Sequence, residues 1–153
     1  MSTLDKWLVA IHIVCAVIWV GGSFVTQLYA LRAQGNGRLT VAAFAQDTEF
    51  IGMRTYLPAS LILLATGLWL IATDVFTFDG WNVWGLVVIA VSIAAGAGFL
   101  GPESGRIGRL MDERGEEDPE VLRRVGRVFL VSRVELVLLF SVVLVMALKP
   151  GAG

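Results

Sequence analysis

The chain has 153 residues, 56% of them hydrophobic and only 16% charged, with a mean hydropathy of +0.75. Soluble domains carry roughly 25% charged residues, so this composition excludes an ordinary soluble core and points to one compact helical membrane domain, residues 1–153. A formal net charge of −1 excludes nucleic acid as a partner, and the lone cysteine, Cys15, forms no internal disulfide.

The first expected element is Trp7 to Leu31, 25 residues without a formal charge that hold the only histidine, His12, and Cys15. It exceeds the ~20 residues a helix needs to cross a hydrocarbon core. It is also too long for the apolar stretch of a cleavable signal peptide, and no small-residue cleavage site closes it. Bulky Val14 before Cys15 argues against a lipoprotein signal as well. At helical spacing, His12, Cys15, Ala16, Trp19, Gly22, Ser23 and Thr26 form one stripe of small, polar or amphipathic residues. Ile11, Val14, Val17, Ile18, Val25 and Leu28 cover much of the rest. The first stripe is expected to face other helices and the second to face lipid.

After Leu31, Gly35-Asn36-Gly37 marks a turn, and Thr40 is placed to cap a helix running toward Phe50. Residues 55–73 form a second uncharged run of 19, with Pro58 early enough to bend it. A short hydrophilic turn leads to a third run, residues 81–101, with Trp69, Trp81 and Trp84 as an aromatic belt around it. Ser92/Gly96 and Ala94/Gly98 are small-xxx-small pairs that let a neighbouring helix approach closely. Gly101-Pro102 then opens the most charged stretch, which runs through Arg127 and whose middle, residues 112–120, is read as a solvated loop. Asp118-Pro119-Glu120 reads as cap, first helical position and acidic first turn. The last span is 128–148, interrupted by Arg133 and Glu135 and ended by Lys149-Pro150-Gly151.

The expected fold is therefore all-α, an integral membrane four-helix bundle with spans at about 7–31, 55–73, 81–101 and 128–148. With four spans, ten arginines fall on the side of the first and third loops, and only Lys6 and Lys149 on the other. The positive-inside rule puts both termini on the non-cytoplasmic side. His12 then lies in the outer half of the membrane, and Arg54, Arg133 and Glu135 in the inner half.

Ionisable groups within a span are costly and face the bundle interior, which makes His12 the first functional candidate. Neutral imidazole ligates haem iron, copper and zinc, and Cys15 stands one turn away, although two side chains do not complete a metal cage. The bland alternative is a histidine hydrogen-bonded to a neighbouring helix. Arg133 and Glu135, two residues apart, point to nearly opposite sides of a helix. Glu135 shares a face with Ser132, Leu139 and Met146, and Arg54 at similar depth is its expected intramembrane ion-pair partner. Arg133 is expected to snorkel toward headgroups.

The run IHIVCAVIWVGGSF resembles the first span of several groups of small bacterial membrane proteins, in which a histidine precedes a Trp and Gly pair. Similar patterns occur in the copper-resistance D family and in HemJ-type protoporphyrinogen oxidases. Arg54 and Pro58 leading into Ala65-Thr66-Gly67, the charged third loop, and Met146 before Lys149-Pro150 resemble most an uncharacterised four-span family, a domain of unknown function. In HemJ-type proteins the first-span histidine, matched here by His12, is implicated in haem binding. Those proteins also use a lysine within the membrane, whereas Lys6 and Lys149 both fall outside the spans.

Three functional readings follow. The first is a protein of the bacterial inner membrane that binds haem b or a related tetrapyrrole, with His12 as axial ligand and Trp19 and Gly22 beside the macrocycle. The second is a non-enzymatic subunit or homo-oligomer whose partners are lipid and other membrane helices. The third is a small transporter gated near Arg54 and Glu135. Nothing in the sequence decides whether the protein is an enzyme, since it has no phosphate-binding loop or nucleophile elbow.

Overall fold

The computed structural model describes residues 1–36, 50–76, 79–115 and 117–149, with the backbone alone for residues 33–36. Thr40 and the helix it was expected to cap lie outside the described residues up to position 49. Among the described residues there are helices and no strand. The helices are α1 (Thr3–Asn36), α2 (Leu57–Ala72), α3 (Gly80–Ala95), α4 (Gly101–Arg114) and α5 (Pro119–Leu148). Four continuous helical stretches among the described residues are long and apolar enough to cross a membrane. They pack in a ring: α1 lies against α2 and α5, α3 against α5 and α2. The chain is thus a four-span, multi-pass helical membrane protein.

The two faces of α1 divide as its sequence expects. His12, Cys15, Trp19, Gln27 and Ala30 are buried, with Ala16, Gly22, Ser23 and Thr26 half-buried between them. Ile11, Val14, Val17, Ile18, Val25 and Leu28 are all exposed, the arrangement lipid contact requires.

Gly101-Pro102 does not begin a loop. The helix of the third span continues through Arg114, 35 residues from Gly80. Its continuation passes through a π-helical turn at Gly96–Leu100, where the Gly101 N–H reaches back to the Gly96 carbonyl. A second π turn, Gly52–Tyr56, precedes α2, and there the Leu57 N–H bonds the Gly52 carbonyl. In both places a proline, Pro58 or Pro102, is the next residue. A proline ring inside a helix lacks a donor and clashes with the carbonyl four residues back. A turn widened to i→i+5 spacing relieves that clash and keeps the helix continuous. Past Pro102, α4 packs on the start of α5 through Ile107, Met111, Val121, Val125 and Phe129, with Ala30 of α1 fully buried against them. The apolar face of α4 was hidden in the sequence by its surrounding charges.

The start of α5 is as read. Asp118 Oδ1 accepts from the Glu120 N–H at 2.8 Å, and Pro119 occupies the first turn. The small residues of α3 divide between two sides: Ser92 is buried and Gly96 half-buried, whereas Ala94 and Gly98 face outward. Trp69 and Trp84 are exposed, but Trp81 is buried, with Lys149 Nζ 5.5 Å above its ring.

Candidate functional site

The side chain of His12 is held between helices. Thr66 Oγ1 lies 2.9 Å from His12 Nδ1 and 2.7 Å from the Ile62 carbonyl. The hydroxyl has one proton, which it donates to that carbonyl, so it accepts from Nδ1–H and leaves Nε2 as the unprotonated nitrogen. Gly67 makes the approach possible, because a Cβ there would stand 3.1 Å from His12 Cε1. Beside the ring is a cavity of about 20 Å³, lined in part by Phe76, Asn82 and Met146. That is the size of one water. Cys15 is buried in the apolar core with Trp19, Leu63, Ile89 and Leu139. Among the described residues, no three His, Cys, Asp or Glu side chains gather as a metal site.

A far larger space opens at the arginine-rich end. All four spans wall a cavity of about 630 Å³ that runs from Trp19 to the exposed Arg106 and Arg109. Both π turns line it, through Gly52, Met53 and Tyr56 on one side and Gly96, Ala97 and Leu100 on the other. The two proline-adjacent distortions therefore widen the bundle at the same level. π turns of this kind gather at functional sites.

Glu135 lies on this wall, half-buried, together with Ser132 one turn before it. Ser92 lies beside the Glu135 carboxyl, but its Oγ has no partner at hydrogen-bonding distance. Gln27, 7% exposed, also lines the cavity, and its Oε1 is likewise without a partner. Buried polar groups are nearly always satisfied, so two orphans on one cavity wall mark a place built for something polar. Trp81 Nε1, also unpartnered, lines neither cavity.

The structure does not join Arg54 to Glu135. The Arg54 guanidinium sits over the Phe50 ring at 4.5 Å, exposed, and no ion pair among the described residues links it to Glu135. Ion pairs among the described residues gather at the cavity's arginine-rich mouth and past it. Glu103, 6% exposed, accepts from Arg124 at 2.7 Å and faces Arg106 at 3.7 Å; Glu120 accepts from Arg124 at 2.8 Å and from Arg114 at 3.2 Å. This network ties α4 to α5. Arg133 is exposed.

Of the residues singled out in the sequence, Trp19 and Glu135 meet in the large cavity. His12 and Cys15 do not reach it, and the room left by Gly22 is taken by the Tyr56 ring, whose Cε1 stands 2.6 Å from where a Cβ would be. Gln27, Tyr56 and Ser92 were missed. Gln27 continues the inward stripe of α1 one turn past Ser23, a signal the stripe itself carried. Ser92 was read only as a packing residue, since a serine in a small-residue pattern looks the same in either role.

Residues 6–150 match the model of one protein family, described as Predicted integral membrane protein (DUF2269). Neither the curated proteins nor the solved structures contain a match.

Proposed function

We propose, from the premise that the chain belongs to the DUF2269 family of predicted integral membrane proteins, that it holds a small amphipathic molecule between its four spans. The observation that carries this reading is the cavity of about 630 Å³ with a carboxylate and two unpartnered buried polar atoms on its wall. Ligand cavities run to roughly 300–1,000 Å³ and combine a mainly apolar lining with a few polar groups. Trp19, Leu57 and Ile93 supply the apolar part here. On the other side of Trp19, the packed layer of Cys15, Leu63, Ile89 and Leu139 closes the bundle. Access is one-sided, which is what a carrier presents when its opposite gate is shut. In a bacterial inner membrane the arginine-rich opening faces the cytoplasm.

The test is chemical access. In a Cys15→Ser background, Ser132→Cys, half-buried on the cavity wall, should react with a small water-soluble thiol reagent added to the arginine-rich side. Val88→Cys, in the packed core at 1% exposure, should not. An unreactive Ser132→Cys sinks the reading.

A second reading keeps haem b or a related tetrapyrrole at His12. What favours it is the tautomer: the Thr66 contact leaves Nε2 free to ligate iron. A macrocycle there requires the helices around His12 to part, since the space beside the ring is water-sized. A Soret band in protein from haem-supplemented cells that vanishes in His12→Ala would establish it; colourless protein would refute it.

A further inference from the structure

The outward face of α5 changes character along its length. Leu130, Val134 and Val137 are 63%, 54% and 68% exposed, and at helical spacing they share one stripe with Arg123 and Arg127, both exposed. The helix is continuous from Pro119 to Leu148, so the stripe is too. Arg127 and Lys149 stand roughly 33 Å apart along it at 1.5 Å per residue, and a hydrocarbon core is about 30 Å thick. That separation puts the two basic residues at opposite headgroup levels, with Arg123 one turn farther out. Like charges one turn apart repel, a cost that an anion between them removes. Among the described residues, neither Arg123 nor Arg127 enters an ion pair. Glu120, one turn before Arg123, is already held by Arg124 at 2.8 Å and Arg114 at 3.2 Å.

From this we infer that Arg123 and Arg127 bind the phosphodiester headgroup of an anionic phospholipid, with an acyl chain lying along Leu130, Val134 and Val137. Guanidinium presents a planar fork of donors that matches phosphate oxygens, and basic residues at headgroup level draw anionic lipid. A zwitterionic lipid would bring a cation to a place that already has two. An acidic soluble molecule would meet the arginines but make no use of the apolar stripe beneath them. The five residues lie outside the lining of the large cavity, so this site stands or falls independently of the cavity reading.

The test uses the full-length protein in an uncharged maltoside detergent, titrated with phosphatidylglycerol or with phosphatidylcholine of the same acyl chains. Native mass spectrometry from about 0.15 M ammonium acetate, where exposed charges are screened within ~8 Å, counts the lipids retained. The first phosphatidylglycerol should bind roughly tenfold tighter than the first phosphatidylcholine. Arg123→Gln with Arg127→Gln should abolish that difference and leave phosphatidylcholine unchanged. Arg123→Lys with Arg127→Lys, which keeps the charge and loses the fork, should recover part of it. Lys6→Gln with Lys149→Gln removes the same charge elsewhere and should leave the preference intact. Equal retention of the two lipids by the wild-type chain overturns the inference, as does a preference that survives Arg123→Gln with Arg127→Gln. Displacement of the lipid by glycerol phosphate alone would also overturn it, because the stripe would then contribute nothing. A dimer that the double glutamine variant breaks would give the face to a second copy of the chain instead.

Discussion

Tyr56 reaches across from the π turn before α2 to place its hydroxyl 2.7 Å from Thr26 Oγ1, and its ring occupies the space a side chain at Gly22 would need. One contact thus fixes the spacing of α1 and α2 and one wall of the large cavity. Gly22→Ala should push the ring off Thr26 and toward the cavity, costing roughly 1–3 kcal/mol of stability. Tyr56→Phe alone should cost about 1 kcal/mol. The double variant should lose less than the sum, because both act on the same contact. Thermal unfolding in mild detergent reads all three; strict additivity would separate Gly22 from Tyr56.

The Thr66 contact makes a prediction about a proton. With only one histidine in the chain, ¹⁵N spectra of the imidazole are unambiguous, and at pH 8 they should show the proton on Nδ1. Thr66→Val leaves that N–H unpaired in the bundle and should cost roughly 1–3 kcal/mol. A wild-type imidazole protonated on Nε2 would contradict the assignment of donor and acceptor.

How much of this was legible beforehand differs by residue. The inward and outward faces of α1 could be read position by position, because a span packed on one side and wetted by lipid on the other sorts small from bulky residues. The cap at Asp118 was equally legible, being a local motif. The continuation of the third span past Pro102 was not, since a proline beside a charged run ordinarily ends a helix, and the π turn that absorbs it carries no local mark in the sequence. Glu135 was placed on the correct face, but its surroundings were not foreseen. The sequence offered Arg54 as the nearest opposite charge by depth, whereas Arg54 found the Phe50 ring on its own helix. Depth alone does not bring two side chains together.

Glu103 is nearly enclosed, and Arg124 is its closest ion-pair partner at 2.7 Å. Arg124→Met should therefore lower the unfolding temperature more than Glu103→Gln, which removes the buried charge instead of stranding it. The pair Glu103→Gln with Arg124→Met should be more stable than Arg124→Met alone. If the double variant is the least stable of the three, the two side chains do not act as a pair.

The orientation expected from the sequence, with ten basic residues on the side of the first and third loops against two on the other, makes a labelling prediction. In a Cys15→Ser background, Asp79→Cys should label with an impermeant external reagent in intact cells, and Glu113→Cys only after permeabilisation. The reverse pattern would turn the protein over and make the cavity open to the outside.

The most direct measurement concerns what the cavity holds. Gly96 lines it, and a Cβ added there meets nothing within 4 Å, so Gly96→Phe should fill the space without breaking the bundle. Native mass spectrometry of protein purified from its own membrane should show one small non-covalent adduct per wild-type chain, lost in Gly96→Phe at unchanged thermal stability. An adduct that persists in Gly96→Phe, or a wild-type chain that carries none, would contradict a ligand site between the four spans.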